Sequence, residues 1–268
     1  MPDPTDFTRW TIEFEARATA RRAAGDPDWT RGATLHPVLI RSIQRFQVGE
    51  DGDGANLITK ADAAGDSTYA AAVRLFVAEE RNHARLLSHL LNSAGAQTIP
   101  SHWTDRVFVR LRRALGLRLE LMTLMVAEVI ALGYYQALHE GAPDPLTAQV
   151  AALILDDERR HVPFHTQRLR QSFAATTGTV RTLGTCAWWL VFLGATVVVA
   201  LDHGPALRRL GVSRTRFAAG GLALFRDIVR VATNGRFRDR CAAGRVPLGS
   251  VSPSHFVIGG DATEGIGP

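Results

Sequence analysis

Four glutamates and two histidines stand where helical periodicity calls for apolar side chains. One stripe reads Leu39, Ile43, Phe46, Glu50, Asp53, Leu57, and a second reads Tyr69, Val73, Phe76, Glu80, His83, Leu87, Leu90. A third reads Leu117, Leu121, Leu124, Glu128, Ala131, Tyr135, Leu138, and in a fourth, less regular stretch Leu153, Ile154, Glu158, His161 and Phe164 fall together. Steps of three and four keep the members of each stripe on one helix face. A glutamate therefore sits at the middle of every apolar face. An unpaired buried carboxylate is costly and either takes up a proton or binds a cation. Four of them at mid-helix imply convergence on a shared positive charge.

Two of the glutamates carry a histidine three residues on, in Glu80-Arg-Asn-His83 and Glu158-Arg-Arg-His161. Residues three apart on a helix point the same way, so each pair offers one oxygen and one nitrogen to a single metal ion. Glu50 precedes Glu80 by 30 residues and Glu128 precedes Glu158 by 30, so one pattern occurs twice, offset by 78. The repeat implies two helix pairs facing each other about a pseudo-two-fold axis. Two divalent cations would balance four carboxylates. The imidazoles must shed their protons to bind, so loading should weaken in acid.

The set Glu50, Glu80-x-x-His83, Glu128, Glu158-x-x-His161 resembles the ferritin-like di-iron carboxylate superfamily. The resemblance covers residues 34–178. It implies an all-α fold, a ferritin-like antiparallel four-helix bundle with additional C-terminal helices. It also implies two Fe ions, with Mn or a mixed Fe/Mn pair as alternatives, and O2 as co-substrate. The activity implied is that of a non-haem di-iron oxidase or oxygenase that hydroxylates or desaturates an organic substrate, with an external electron donor. The apolar lining points weakly to a hydrophobic substrate. Two alternatives stay open: iron handling, as a ferroxidase, storage or peroxide-scavenging protein, and a tRNA-hydroxylase-like enzyme using its Arg-rich C-terminal region.

Several neighbours could modify such a site. Asp53 is a candidate seventh ligand, although Asp51-Gly-Asp-Gly54 also reads as a helix irregularity. Glu79 and Asp157 each precede a proposed ligand; they read better as solvent-facing acids paired with Arg81, Arg85 or Arg160 than as acceptors orienting the histidines. His165 lies one turn past His161. Tyr135 shares the face of Glu128 and, like Tyr134, reads first as core filling. No Gly-rich phosphate loop or nucleophile elbow is present, and Cys186 and Cys241 form no Cys-x-x-Cys pair.

The elements that must hold these groups are long. Apolar-periodic runs extend from about 34 to 65, 67 to 95, 101 to 141 and 144 to 178, separated by Gly and Pro breaks. The implied organisation is an N-terminal arm at 1–33, the metal-binding bundle at 34–178, a helical extension at 179–247 and a flexible tail at 248–268. The run Thr185–Leu201 is uncharged for 17 residues, just short of a membrane span, and is expected to be a buried helix covering the bundle. The 31 basic residues are 30 Arg and Lys60; the whole excess of +5 falls in 201–268. That asymmetry leaves contact with nucleic acid or an anionic membrane surface open but not favoured. A homodimer through the extension is also open. The opening MPDPTDFTRW has no basic-then-apolar secretion pattern, and two cysteines make no disulfide framework, so a cytoplasmic setting is expected.

Overall fold

The computed structural model describes residues 6–113 and 116–233, and the described residues are all-helical. In chain order the helices are α1 (Thr8–Ala24), α2 (Pro37–Glu50), α3 (Ala55–Ala63), α4 (Ser67–Ser93) and α5 (Trp103–Arg113). They continue with α6 (Leu117–Gly141), α7 (Pro145–Ala174), α8 (Gly178–Asp202), α9 (Gly204–Arg209) and α10 (Arg214–Thr233). The expected caps are in place. Asp66 accepts from the Tyr69 amide at 3.0 Å to start α4, and Asp144 accepts from the Thr147 amide at 2.8 Å to start α7, with Pro145 in its first turn. Three residues join α6 to α7, which pack as a hairpin along their length. Against it lie α2 and α4.

Two of the four expected runs are divided. Residues 34–65 form α2 and α3, separated at Asp51–Gly54. Gly54 adopts φ +63, where a side chain is strained, and a Cβ there would collide with the Val77 side chain. Asp53 caps α3 through the Ala55 amide at 3.1 Å, while its own carbonyl accepts from Arg81 at 2.6 Å. The run from 101 to 141 likewise divides into α5 and α6.

At the two ends of the chain the helices pack more closely than an arm and an added extension imply. Part of the N-terminal arm is a 17-residue helix, α1, which packs on α4 and buries Trp10 and Phe14. Phe164 of α7 anchors it, with T-shaped contacts to Phe7, Trp10 and Phe14 at centroid separations of 5.9, 5.6 and 5.4 Å. At the other end α8 and α10 pack on α6 and α7. Phe192 and Phe225 stack at 4.0 Å, and the Trp188 indole donates to the Met122 carbonyl at 2.7 Å. α8 and α10 therefore share one core with the preceding helices. Only one flank of α8 is covered, however: Trp188, Phe192, Thr196 and Ala200 are its buried residues, so it is not the buried cover expected. Residues 234–247 of the expected extension and the expected tail at 248–268 lie outside the described residues.

Candidate metal centre

All six ligand candidates meet at one place. Glu50, Glu80, His83 and Glu158 form one group and Glu80, Glu128 and His161 a second; within each, one ligand atom per residue lies within 4.8 Å of the others. Glu80 belongs to both. His83 Nδ1 lies 3.5 Å from Glu80 Oε1 and 3.4 Å from Glu158 Oε1. His161 Nδ1 lies 3.2 Å from Glu80 Oε1, 3.3 Å from Glu128 Oε2 and 3.5 Å from Glu158 Oε2. Glu80 and Glu158 thus stand between the two imidazoles, with Glu50 and Glu128 at the flanks. Both histidines, Glu128 and Glu158 are at most 3% exposed, and Glu80 alone is partly open.

The atoms that converge lack partners. Glu80 Oε1, His83 Nδ1, Glu128 Oε2, Glu158 Oε2 and His161 Nδ1 are buried and make no hydrogen bond. Orphaned buried polar atoms carry a desolvation cost of about 1–3 kcal/mol each, more when charged. Five pointing at one centre fit a pair of cations, and the donor set, imidazole nitrogen with carboxylate oxygen, suits divalent transition metals.

The outer nitrogens are held from behind. His83 Nε2 lies 3.3 Å from Asp157 Oδ2, and His161 Nε2 lies 3.2 Å from Glu79 Oε2. An ionised carboxylate only accepts, so each Nε2 carries a proton and Nδ1 is the nitrogen that faces the centre, with a lone pair to offer once deprotonated. The pattern crosses over: the acid before the α4 ligand serves the α7 histidine, and the reverse. Arg21 of α1 donates to both acids, to Glu79 in a very close contact and to Asp157 at 3.0 Å. Arg160 also pairs with Asp157. Burial raises the Asp157 pKa, but the His83 contact and the arginines outweigh it and hold it below the usual carboxylate range.

Charge crowding shows in the titration of the cluster. Burial and the charge of Glu158 push Glu128 up to about 8. Burial, with Glu50 and Glu128 nearby, raises Glu80 well above the carboxylate range, and burial with Glu158 raises Glu50. Burial alone would depress the two imidazoles, yet Asp157 beside His83 and Glu128 beside His161 hold both well above their ordinary value. Any metal uptake would have to expel the protons that such shifts favour, so affinity should fall as pH falls.

The other sequence candidates divide. Glu79 and Asp157 orient the histidines, contrary to the solvent-facing reading. Tyr135 donates to Glu50 Oε1 at 2.7 Å and so does more than fill the core. Burial and the neighbouring Glu50 raise its pKa, keeping it a phenol donor. Tyr134 bonds Ser42 at 3.0 Å, away from the ligands. Asp53 is no ligand: its side chain is 65% exposed, caps α3 and faces Arg113 at 3.7 Å. His165 is fully buried with neither nitrogen hydrogen-bonded, its Nε2 3.9 Å from Glu128 Oε1 and outside both ligand groups. Leu153 points away from the site, 39% exposed. Periodicity missed Arg21, which lies in the segment read as an arm. It also missed Glu120, a fully buried acid tied to Lys60 at 2.8 Å and Asn56 at 2.7 Å.

A cavity of about 180 Å³ opens onto the carboxylate side, lined by Glu50, Glu80, Glu128 and Glu158 but by neither histidine. Phe46, Leu124, Ile130 and Val199 supply apolar wall, and Arg45, Thr104, Asp105, Arg112 and His203 supply polar groups. α1 closes the histidine side and the carboxylate side stays reachable. No protein-family model matches the chain, and no curated protein or solved structure matches it.

Asp157→Ala should weaken metal binding about 10–100-fold, because His83 loses the acceptor that fixes its tautomer. Titration against a chromogenic chelator measures this; an unchanged affinity would mean that the contact does not orient the ligand.

Proposed function

We propose that the chain is a ferritin-like di-iron oxidase or oxygenase whose bundle consists of α2, α4, α6 and α7. The observation that carries the reading is the convergence of orphaned carboxylate and imidazole atoms on one point beside a largely apolar cavity. Two ferrous ions, when bound, would supply electrons for the reduction of O2. The chain's own groups do the rest. Glu80, common to both groups, would help hold both cations, and Glu50, Glu128 and Glu158 would complete the carboxylate set. Asp157, Glu79 and Arg21 keep both imidazoles inward. Tyr135 holds Glu50 through a phenolic proton. Phe46, Leu124 and Ile130 exclude water and favour an apolar substrate. For a hydroxylation, one oxygen atom of O2 enters a C–H bond and the other leaves as water, with two electrons and two protons from an external donor.

The cavity favours this reading over iron storage, which needs no walled space for an organic molecule. The test is anaerobic loading with ferrous iron followed by admission of O2. The reading expects about two irons per chain and O2 uptake that depends on them. Folded protein that binds iron but leaves O2 untouched would remove the oxidase.

A further inference from the structure

We infer that the outer faces of α5 and α8 form a docking surface for an anionic lipid bilayer, placed where the cavity can receive an apolar molecule from the membrane. Both helices wall the cavity: α5 through Thr104, Asp105, Phe108 and Arg112, α8 through Ala195 and Val199. Thr104 at the start of α5 and Val199 near the end of α8 line the same cavity, so the two helices flank one opening.

The outward faces are unlike those of an ordinary solvated helix. On α8, Leu183, Leu190, Val197 and Leu201 are 66, 71, 58 and 58% exposed at spacings of seven, seven and four. No charged residue occurs from 182 to 201. The opposite flank, with Trp188 and Phe192, is packed in the core. The helix is thus apolar on both sides and supported along one, which suits lying in an interface rather than crossing it. α5 has no buried residue. It turns Trp103 and Val107 outward at 51 and 56% exposure, beside exposed Arg106, Arg110 and Arg113. Arg113 faces Asp53, but Arg106 and Arg110 have no acidic partner among the described residues.

Charge complementarity selects the occupant. Arginines beside a tryptophan and aliphatic side chains match a headgroup region with anionic phosphates above acyl chains. A second copy of this chain would bring the same arginines against themselves. Docking rests on these faces alone. Only the delivery of an apolar substrate rests on the oxidase reading.

The experiment is co-sedimentation of the full, metal-loaded chain with vesicles of phosphatidylcholine, with and without phosphatidylglycerol. Binding is expected to the anionic vesicles, weakening with salt. Each arginine contributes roughly five-fold, so Arg106→Glu with Arg110→Glu should weaken binding at least about 25-fold. Leu190→Glu with Val197→Glu should abolish it. Neither pair touches a ligand, so metal content should not change; loss of metal in wild-type protein with vesicle binding intact would sink the oxidase and spare the docking. The docking is overturned if wild-type protein ignores both vesicles, if neither variant pair changes binding, or if the chain is a stable dimer that Leu190→Glu with Val197→Glu dissociates.

Discussion

Glu80→Ala is expected to empty both metal positions. Glu80 is the one residue shared by the two groups, and its Oε1 lies 3.2 Å from His161 Nδ1 and 3.5 Å from His83 Nδ1. Removing it leaves Glu50, His83 and Glu158 on one side and only Glu128 and His161 on the other. Metal content should fall from about two per chain to below one, and O2 uptake to the blank. Glu50→Ala, by contrast, should leave the second group intact and cost one metal at most. The stability effect has the opposite sign. In the metal-free protein the burial of most of Glu80, and then the nearby charges of Glu50 and Glu128, raise its pKa. Metal-free Glu80→Ala should therefore resist denaturant at least as well as metal-free wild type, while losing the stabilisation that metal confers. Metal analysis and denaturant melts with and without chelator check both halves. A variant that keeps two metals would contradict the shared-ligand geometry; one that unfolds without metal would make the loss merely structural.

Phe164→Ala should cost about 3–5 kcal/mol of fold stability. Phe164 is fully buried and meets Phe7, Trp10 and Phe14 of the N-terminal segment, Tyr69 and Phe76 of α4, and His165 of its own helix. Truncation leaves a hole between α1, α4 and α7, behind the histidines. Since α1 carries Arg21, its loosening should also weaken metal binding. Phe164→Leu fills most of the hole and should cost under half as much. Denaturant unfolding of both variants checks the order. Equal small losses would mean that α1 is not anchored there.

The six converging side chains were legible because helical spacing fixes direction: a residue three or four from a buried leucine must share its face. The same logic hid the second layer. Glu79 and Asp157 are each one residue from a ligand and so rotated about 100° off the stripe, where solvent is expected. They are buried because a further helix, α1, covers that side. α1 itself buries only Trp10 and Phe14, too thin a signal to mark a packed helix, so Arg21 could not be placed. The Asp51–Gly54 break was visible as an irregularity, but not that it frees Asp53 to cap α3 instead of joining the ligands. Nor did composition tell that the apolar run in α8 is packed along one flank only; that depends on α10 lying beside it.

The most direct test is crystallography of iron-loaded protein with anomalous diffraction at the iron edge. Two anomalous peaks are expected, both next to Glu80, one within bonding distance of His83 Nδ1 and the other of His161 Nδ1. A single peak, or iron bound elsewhere with the six side chains paired among themselves, would contradict the dinuclear centre.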